Sequence, residues 1–148
     1  MRLRIRSILV PLMAVTFFAG SCDGDGPTNI VPPPDLSGTY DLGSIIGAVL
    51  TGGATLTPPA ATGTMTVAQT SSSGSTATGT YQIDITIAGN QVIDNGTYTI
   101  NASNGQWTQD SSTQGFQSLG TYTFAGSTLT VEVTTPAAAA GTSVWNKQ

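Results

Sequence analysis

Among the side chains of this protein, two carboxylates come closest in type and spacing to a catalytic pair. Asp84 and Asp94 lie in consecutive alternating segments, and a hairpin turning at Gly89 would set them nearly opposite each other. Paired carboxylates perform acid–base chemistry in glycoside hydrolysis. Like charges that face each other across a hairpin are unfavourable unless water or a cation separates them. We therefore expect two exposed acids that keep the strands soluble, with an acid-only hydrolase as the minor alternative.

The sequence offers few other residues that could perform catalysis. The chain has no histidine, which removes the commonest general base and metal ligand. Serines are numerous, but no Gly-x-Ser-x-Gly elbow and no phosphate-binding loop occurs. Lys147, the only lysine, lies at the C-terminal end. We expect no catalytic residues, no metal site and no cofactor, and we predict that the protein is not an enzyme.

Cys22 is the only cysteine, and the segment before it has the layout of a secretory signal. Three arginines within the first six residues precede an apolar run over residues 8–18, and small residues occupy 19–21. The run is too short for a helix to cross a hydrocarbon core of about 30 Å. We predict that residues 1–21 form a signal peptide that is cleaved directly before Cys22.

The stretch Phe18-Ala19-Gly20-Ser21-Cys22 resembles the lipobox of bacterial lipoproteins. In that family a peptidase cuts before the cysteine, whose sulfur carries a diacylglycerol. The resemblance implies a lipid on Cys22, with acyl chains such as palmitate, and an exported protein anchored to the bacterial cell membrane. It does not distinguish the inner from the outer membrane. The alternative is an ordinary secretory signal with a chance cysteine near the cleavage site.

The charge of the mature chain restricts its partners. Cleavage would remove all three arginines and leave one lysine against eight acidic residues. Such a chain cannot neutralise a row of phosphates, which excludes nucleic acid as a partner. It would also be repelled by anionic lipid headgroups. Membrane attachment must then come from the lipid on Cys22.

A tether and one domain follow the cleavage site. Residues 22–35 are rich in Asp, Gly and Pro, offer little to bury and resist helix formation. We predict a flexible tether that reaches at most about 40 Å when it is fully extended. Residues 36–148 form the predicted domain, which is large enough for a hydrophobic core.

The domain has the alternation of half-buried strands. Tyr81, Ile83 and Ile85 alternate with Gln82 and Asp84, which predicts one buried and one wet face. The predicted strands span residues 36–42, 62–69, 77–88, 91–101, 105–111, 115–125, 127–134 and 142–147. Short turns between them favour an all-β antiparallel up-and-down meander. It must close as a small barrel or, alternatively, fold as a β-sandwich to cover its edges.

Three segments depart from simple alternation. Residues 45–50 are crowded by glycines, and we expect a short helical turn or a loop there. Residues 70–76 are mostly serine and threonine and predict an exposed loop. The pair Asn95-Gly96 interrupts a strand and indicates either a turn or a β-bulge.

A Gly-Thr-Tyr tripeptide occurs four times without a fixed period, and each copy opens or enters a predicted strand. We expect the glycines to allow bends in a tightly curved barrel and the tyrosines to fill its interior. The alternative is a ring of aromatic side chains that lines a binding cavity. The candidate wall residues are Tyr40, Tyr81, Tyr98, Trp107, Phe116, Tyr122 and Phe124.

Nearly the whole domain resembles the lipocalin-like domains of bacterial lipoproteins. The motifs that carry the resemblance are Leu36-Ser37-Gly38-Thr39-Tyr40, Gly63-Thr64-Met65-Thr66-Val67, Asn95-Gly96-Thr97-Tyr98-Thr99-Ile100, residues 120–131 and Val144-Trp145-Asn146-Lys147. Lipocalins usually carry Trp where Tyr40 stands, and their conserved arginine has no counterpart here. The resemblance implies an eight-stranded barrel with an apolar cavity.

We therefore expect a non-enzymatic, membrane-anchored lipoprotein of the cell envelope. Its expected partners are the membrane, through the lipid on Cys22, and either a small apolar ligand or an envelope protein. The alternative is a structural or adhesive surface β-module that acts through protein–protein contacts.

Overall fold

The computed structural model describes residues 30–148. The predicted signal peptide of residues 1–21, the predicted lipidation site Cys22 and the first half of the predicted tether lie outside the described residues. Residues 30–35, the rest of the tether, have no regular secondary structure.

Eight antiparallel strands follow one another along the chain, and β8 pairs with β1 to close a barrel. A short 3-10 helix at Ala137–Ala139 precedes the last strand. The strands are β1 (Gly38–Gly47), β2 (Ala61–Ser73), β3 (Thr76–Ile87), β4 (Asn90–Asn101), β5 (Gln106–Ser111), β6 (Gln117–Ala125), β7 (Thr128–Thr135) and β8 (Gly141–Lys147). The predicted up-and-down barrel is confirmed, and the alternative β-sandwich is wrong.

The two ends of the barrel differ. At the first, which we call the arm end, the N-terminal arm of residues 30–37 approaches β1, and the chain finishes after β8. Leu36 of the arm is fully buried there, and the Gln148 amide donates a hydrogen bond to the Thr39 carbonyl at 2.9 Å. The connections of the other end, which we call the far end, are residues 48–60, 88–89, 112–116 and 136–140.

Aromatic side chains fill the arm-end half of the interior. The Tyr98 and Trp107 rings stack with centroids 5.2 Å apart, and Tyr122 packs against Trp107 at 6.4 Å. The Tyr40 hydroxyl donates to the Leu36 carbonyl at 2.7 Å, which fixes the arm over this half. All four tyrosines of the chain are buried, as expected of side chains that fill a small barrel.

Glycines let neighbouring strands approach closely inside the barrel. A Cβ atom at Gly96 would overlap the carbonyl oxygen of Asp110, and one at Gly120 would overlap that of Glu132. Both glycines precede a buried tyrosine by two residues and therefore share its inward face. The register shifts at Gly120, as expected for a glycine that allows a bend, but it is regular at Gly96, where glycine only permits the close approach.

The register of the sheet shifts at three places, which are Leu42/Ser44 in β1, Gln69/Ser71 in β2 and Leu119/Gly120 in β6, and no shift lies at Asn95-Gly96. Pairing of β1 with β8 shifts between Leu42 and Ser44, whereas the register of β4 is regular on both sides. The extra residue turns both Leu42 and Ile45 inward although they are three positions apart. Because of this phase change, the strand was predicted to end at residue 42. In the structure β1 continues through Gly47, and the turn begins at residue 48.

The loop predicted over residues 70–76 is also wrong. Strands β2 and β3 continue to Ser73 and Thr76, and the Ser71 and Thr78 hydroxyls lie 2.7 Å apart across the hairpin. The end of β2 is exposed on both faces. Because neither face of that segment needs apolar residues, its sequence lacks the alternation that marks the other strands.

Candidate functional site

A cavity of about 130 Å³ occupies the far-end half of the barrel interior. We call it the cup. Its lining residues come from six strands and are Ile45, Met65, Ile83, Ile85, Trp107, Gln109, Val131, Val133, Ser143 and Trp145. The two tryptophans are the only ones in the chain, and Trp107 also belongs to the aromatic stack that fills the arm-end half.

A crevice at the surface of the far end lies beside the cup. This crevice has a volume of about 100 Å³ and shares Ile45, Val133 and Ser143 with the cup. Val49 and Leu50, which are 69% and 49% exposed, lie on its outer side. Apolar side chains therefore line both the cup and the neighbouring crevice at the far end.

Local structure explains why the cup has apolar walls. The bulge in β1 turns Ile45 inward, and the regular alternation of β3 turns Ile83 and Ile85 to the same side. On β8, the indole nitrogen of Trp145 donates to the Ser143 hydroxyl at 2.8 Å. That hydrogen bond satisfies the one polar group of the indole and leaves its ring against the cavity.

The volume of the cup sets the size of what it could hold. Pockets for drug-sized ligands range from about 300 to 1,000 Å³. An apolar cavity of about 150 Å³ is enough for a benzene molecule. With about 130 Å³, the cup suits a single ring or a short alkyl chain. A larger ligand would leave part of its structure outside the cup.

A polar network borders the cup on one side and consists of Tyr81, Asp94, Trp107, Gln109 and Ser111. The amide nitrogen of Gln109 donates to the Tyr81 hydroxyl at 2.9 Å and to Oδ2 of Asp94 at 3.1 Å. The Tyr81 hydroxyl donates to the same carboxylate oxygen at 2.9 Å, and Ser111 donates to the other. The Trp107 indole nitrogen donates to Oε1 of Gln109 at 3.3 Å.

The tyrosine of this network stays protonated. Burial raises the pKa of the Tyr81 hydroxyl well above its usual range, and its hydrogen bond to the Asp94 carboxylate raises that pKa further. Tyr81 therefore acts as a hydrogen-bond donor to Asp94 throughout the physiological pH range.

The structure places the seven candidate wall residues in different surroundings. Trp107 lines the cup. Tyr81 does not line it but accepts a hydrogen bond from Gln109, which does. Four others belong to or pack against the core away from the cup, namely Tyr40, Tyr98, Tyr122 and Phe124. Phe116 lies in the 112–116 connection with 41% of its surface exposed, so Trp107 is the one candidate of the seven that lines the cup.

Sequence reasoning missed several residues of the cup. Trp145 lies in a predicted strand, and its alternation with Val144 and Asn146 was a signal that could have identified it. Gln109 gave no such signal, because a glutamine on a short strand is ordinarily exposed. Ile45 could not be placed, because the bulge before it changes the phase of the strand.

Asp84 and Asp94 do not form a pair. The turn occupies Ala88 and Gly89, so Ile87 pairs with Asn90 and Asp94 lies opposite Ile83. This register differs by one residue from the predicted one, and a shift of one residue moves a side chain to the other face. The Asp84 carboxylate points outward and accepts from the Gln91 amide at 2.9 Å, whereas Asp94 points inward.

A larger concavity, of about 490 Å³, lies elsewhere, on the outer surface of β2, β3 and β4. Side chains such as Thr66, Thr80 and Thr97 line it. It is open to water, so it could not desolvate an apolar ligand, and we regard the cup as the candidate site despite its smaller volume. Residues 30–148 contain no group of three or more side chains placed to bind a metal ion. In the same part of the chain, no helix has the length and apolar character needed for a membrane span.

No family model, no curated protein and no solved structure matches this chain.

Proposed function

We propose that the protein is a non-enzymatic, membrane-anchored lipoprotein of the bacterial cell envelope whose barrel binds the apolar end of a small ligand. The observation that carries the binding proposal is the cup, an apolar cavity of about 130 Å³ beside an apolar crevice at the far end. The lipobox-like sequence that ends at Cys22 supports the anchor.

The position of the cup agrees with an anchored carrier. The arm approaches the barrel at one end, with Leu36 buried there, and the cup lies in the other half. A lipid on Cys22 would therefore hold the arm end toward the bilayer through a tether that reaches at most about 40 Å. The far end, with its crevice, would face away from the membrane and be open to ligands.

Tryptophan fluorescence tests the binding proposal. Both tryptophans line the cup, so the intrinsic emission reports directly on its occupancy. We expect toluene to change the emission of the full chain, reconstituted in phosphatidylcholine vesicles, in a saturable way. The change should disappear in Val133→Phe, which fills the cup, and persist in Val31→Phe, which makes the same replacement on the arm.

A non-saturable change, or an equal response of Val133→Phe and the wild-type protein, would show that toluene acts outside the cup and would overturn the binding proposal. Circular dichroism of each variant provides the control for folding.

The intact mass of the chain from a bacterial membrane fraction tests the anchor. We expect a chain that begins at residue 22 and carries the added mass of acyl chains, and we expect Cys22→Ser to lack that mass. An unmodified wild-type chain in the soluble fraction would overturn the anchor but not the binding proposal.

A surface module that acts through protein contacts is the second candidate. The observation that favours it is a set of exposed apolar side chains at or near the far end, which are Val49, Leu50, Ile93, Phe116 and Leu119. Exposed apolar surface of this kind often marks a protein interface. This candidate would be preferred if the fluorescence titration showed no saturable binding.

A further inference from the structure

We propose that the cup selects ligands whose head group is cationic or donates a hydrogen bond, and that it discriminates against carboxylates. The inference rests on the proposed binding function and specifies the ligand class. A fatty acid, which pairs an apolar chain with an anionic head, would be a poor ligand, whereas an amine of similar size would be a good one.

The hydrogen-bond inventory of Gln109 supports a donor ligand. An amide side chain has two N–H donors and a carbonyl oxygen with two lone pairs. The Gln109 nitrogen uses its donors on Tyr81 and Asp94, and its oxygen accepts one bond, from Trp107. One lone pair of the Gln109 oxygen therefore stays free at the wall of the cup to accept a hydrogen bond from a ligand.

Asp94 strengthens that preference. Three neutral donors, from Tyr81, Gln109 and Ser111, converge on its carboxylate. A hydrogen bond from an amide nitrogen to a carboxylate polarises the amide and makes its oxygen a better acceptor. The negative charge next to the cup would also attract a cation and repel an anion, and the partial burial of Asp94 reduces the screening of this effect by water.

No positive side chain of the described residues compensates this charge. Lys147 is the only basic residue in that part of the chain, and its ammonium group lies at the arm end, 5.8 Å from the centre of the Tyr40 ring. The walls of the cup include the indole groups of Trp107 and Trp145. The faces of such rings attract ammonium groups, so the aromatic part of the lining favours the same ligand class.

The remaining polar side chain of the cup, Ser143, favours neither cationic nor anionic ligands. The Ser143 hydroxyl accepts from the Trp145 indole nitrogen, and it retains one lone pair and its own proton. A hydroxyl of this kind can rotate to serve either a donor or an acceptor. The selection is therefore expected to come from Asp94 and Gln109.

Three ligands with the same ring test the inference at neutral pH: benzylamine, benzyl alcohol and benzoate. The readout is tryptophan emission of the full chain in phosphatidylcholine vesicles. We expect benzylamine to bind most tightly, benzyl alcohol about three- to tenfold more weakly, and benzoate at least tenfold more weakly than benzylamine.

Asp94→Asn removes the charge and keeps the shape, and we expect it to reduce the benzylamine affinity about tenfold while changing the benzyl alcohol affinity less than threefold. Asp84→Asn is the matched control, because Asp84 carries the same charge on the outer face, and it should behave as the wild-type protein.

The outcomes separate the two proposals. Equal binding of benzoate and benzylamine by the wild-type protein would overturn the charge preference and leave the binding function intact. Failure of all three ligands to bind would overturn both. The ranking in the wild-type protein decides the inference even if Asp94→Asn does not fold.

Discussion

Removal of one hydroxyl from Tyr98 should stabilise the protein, whereas the same change at Tyr40 should destabilise it. Both rings are buried, with at most 1% of their surface exposed. The Tyr40 hydroxyl donates to the Leu36 carbonyl, but the Tyr98 hydroxyl has no hydrogen-bond partner within residues 30–148. The two replacements with Phe therefore differ in what they leave behind.

The magnitudes follow from the cost of an unpaired buried polar group, which is about 1–3 kcal/mol. Tyr98→Phe removes such a group and keeps the stack on Trp107, so we expect a gain of about 1 kcal/mol in the free energy of unfolding. Tyr40→Phe leaves the Leu36 carbonyl without its donor, so we expect a loss of about 1–2 kcal/mol. The two variants should differ by about 2–3 kcal/mol.

Urea unfolding followed by circular dichroism measures this difference. With a slope of about 2 kcal/mol/M, the Tyr98→Phe midpoint should rise by about 0.5 M and the Tyr40→Phe midpoint should fall by about 0.5–1 M. Equal slopes for the wild-type protein and both variants would show that the unfolded states are comparable. A fall of the Tyr98→Phe midpoint would refute the reasoning, because it would mean that the hydroxyl has a partner, such as a buried water molecule.

Two further predictions concern the same core. Gly120→Ala should lower the free energy of unfolding by about 2–3 kcal/mol, because the new Cβ atom would overlap the Glu132 carbonyl oxygen. Gly74→Ala should lower it by only about 1 kcal/mol, because Gly74 has open space around it and a φ of 59°. Equal urea midpoints for the two variants would contradict this prediction. Burial raises the pKa of all four tyrosines above 10, so the unfolded state loses these protons first and stability should fall as the pH rises above about 10. Phenolate absorbance and circular dichroism should then change together, and phenolate formation near pH 10 in a folded protein would refute the assignment.

The strands could be predicted from the sequence because most of them follow a simple alternation. Tyr81, Ile83 and Ile85 occupy one face of β3 as expected, and tight turns joined the predicted strands into a meander. Alternation fails where the backbone adds a residue, as at the β1 bulge before Ile45. It also fails where a strand is exposed on both faces, as at the end of β2.

The candidate site was less predictable than the fold for two physical reasons. The choice of a turn at Ala88 and Gly89 shifts the register by one residue, and that shift alone decides whether Asp94 faces Asp84 or the interior. The cup itself is space left between side chains of six strands. Its volume depends on how those side chains pack, which no single segment of the sequence encodes.

Closure of the barrel by its first and last strands has a consequence for how the chain folds. Tyr40 pairs with Lys147 and Leu42 with Trp145, across roughly 100 residues of sequence. Contacts between such distant residues form late and slowly, since the intervening chain must first be ordered. A growing chain that lacks β8 also lacks Trp145 and leaves β1 with an unpaired edge. The barrel therefore cannot close before β8 has been synthesised.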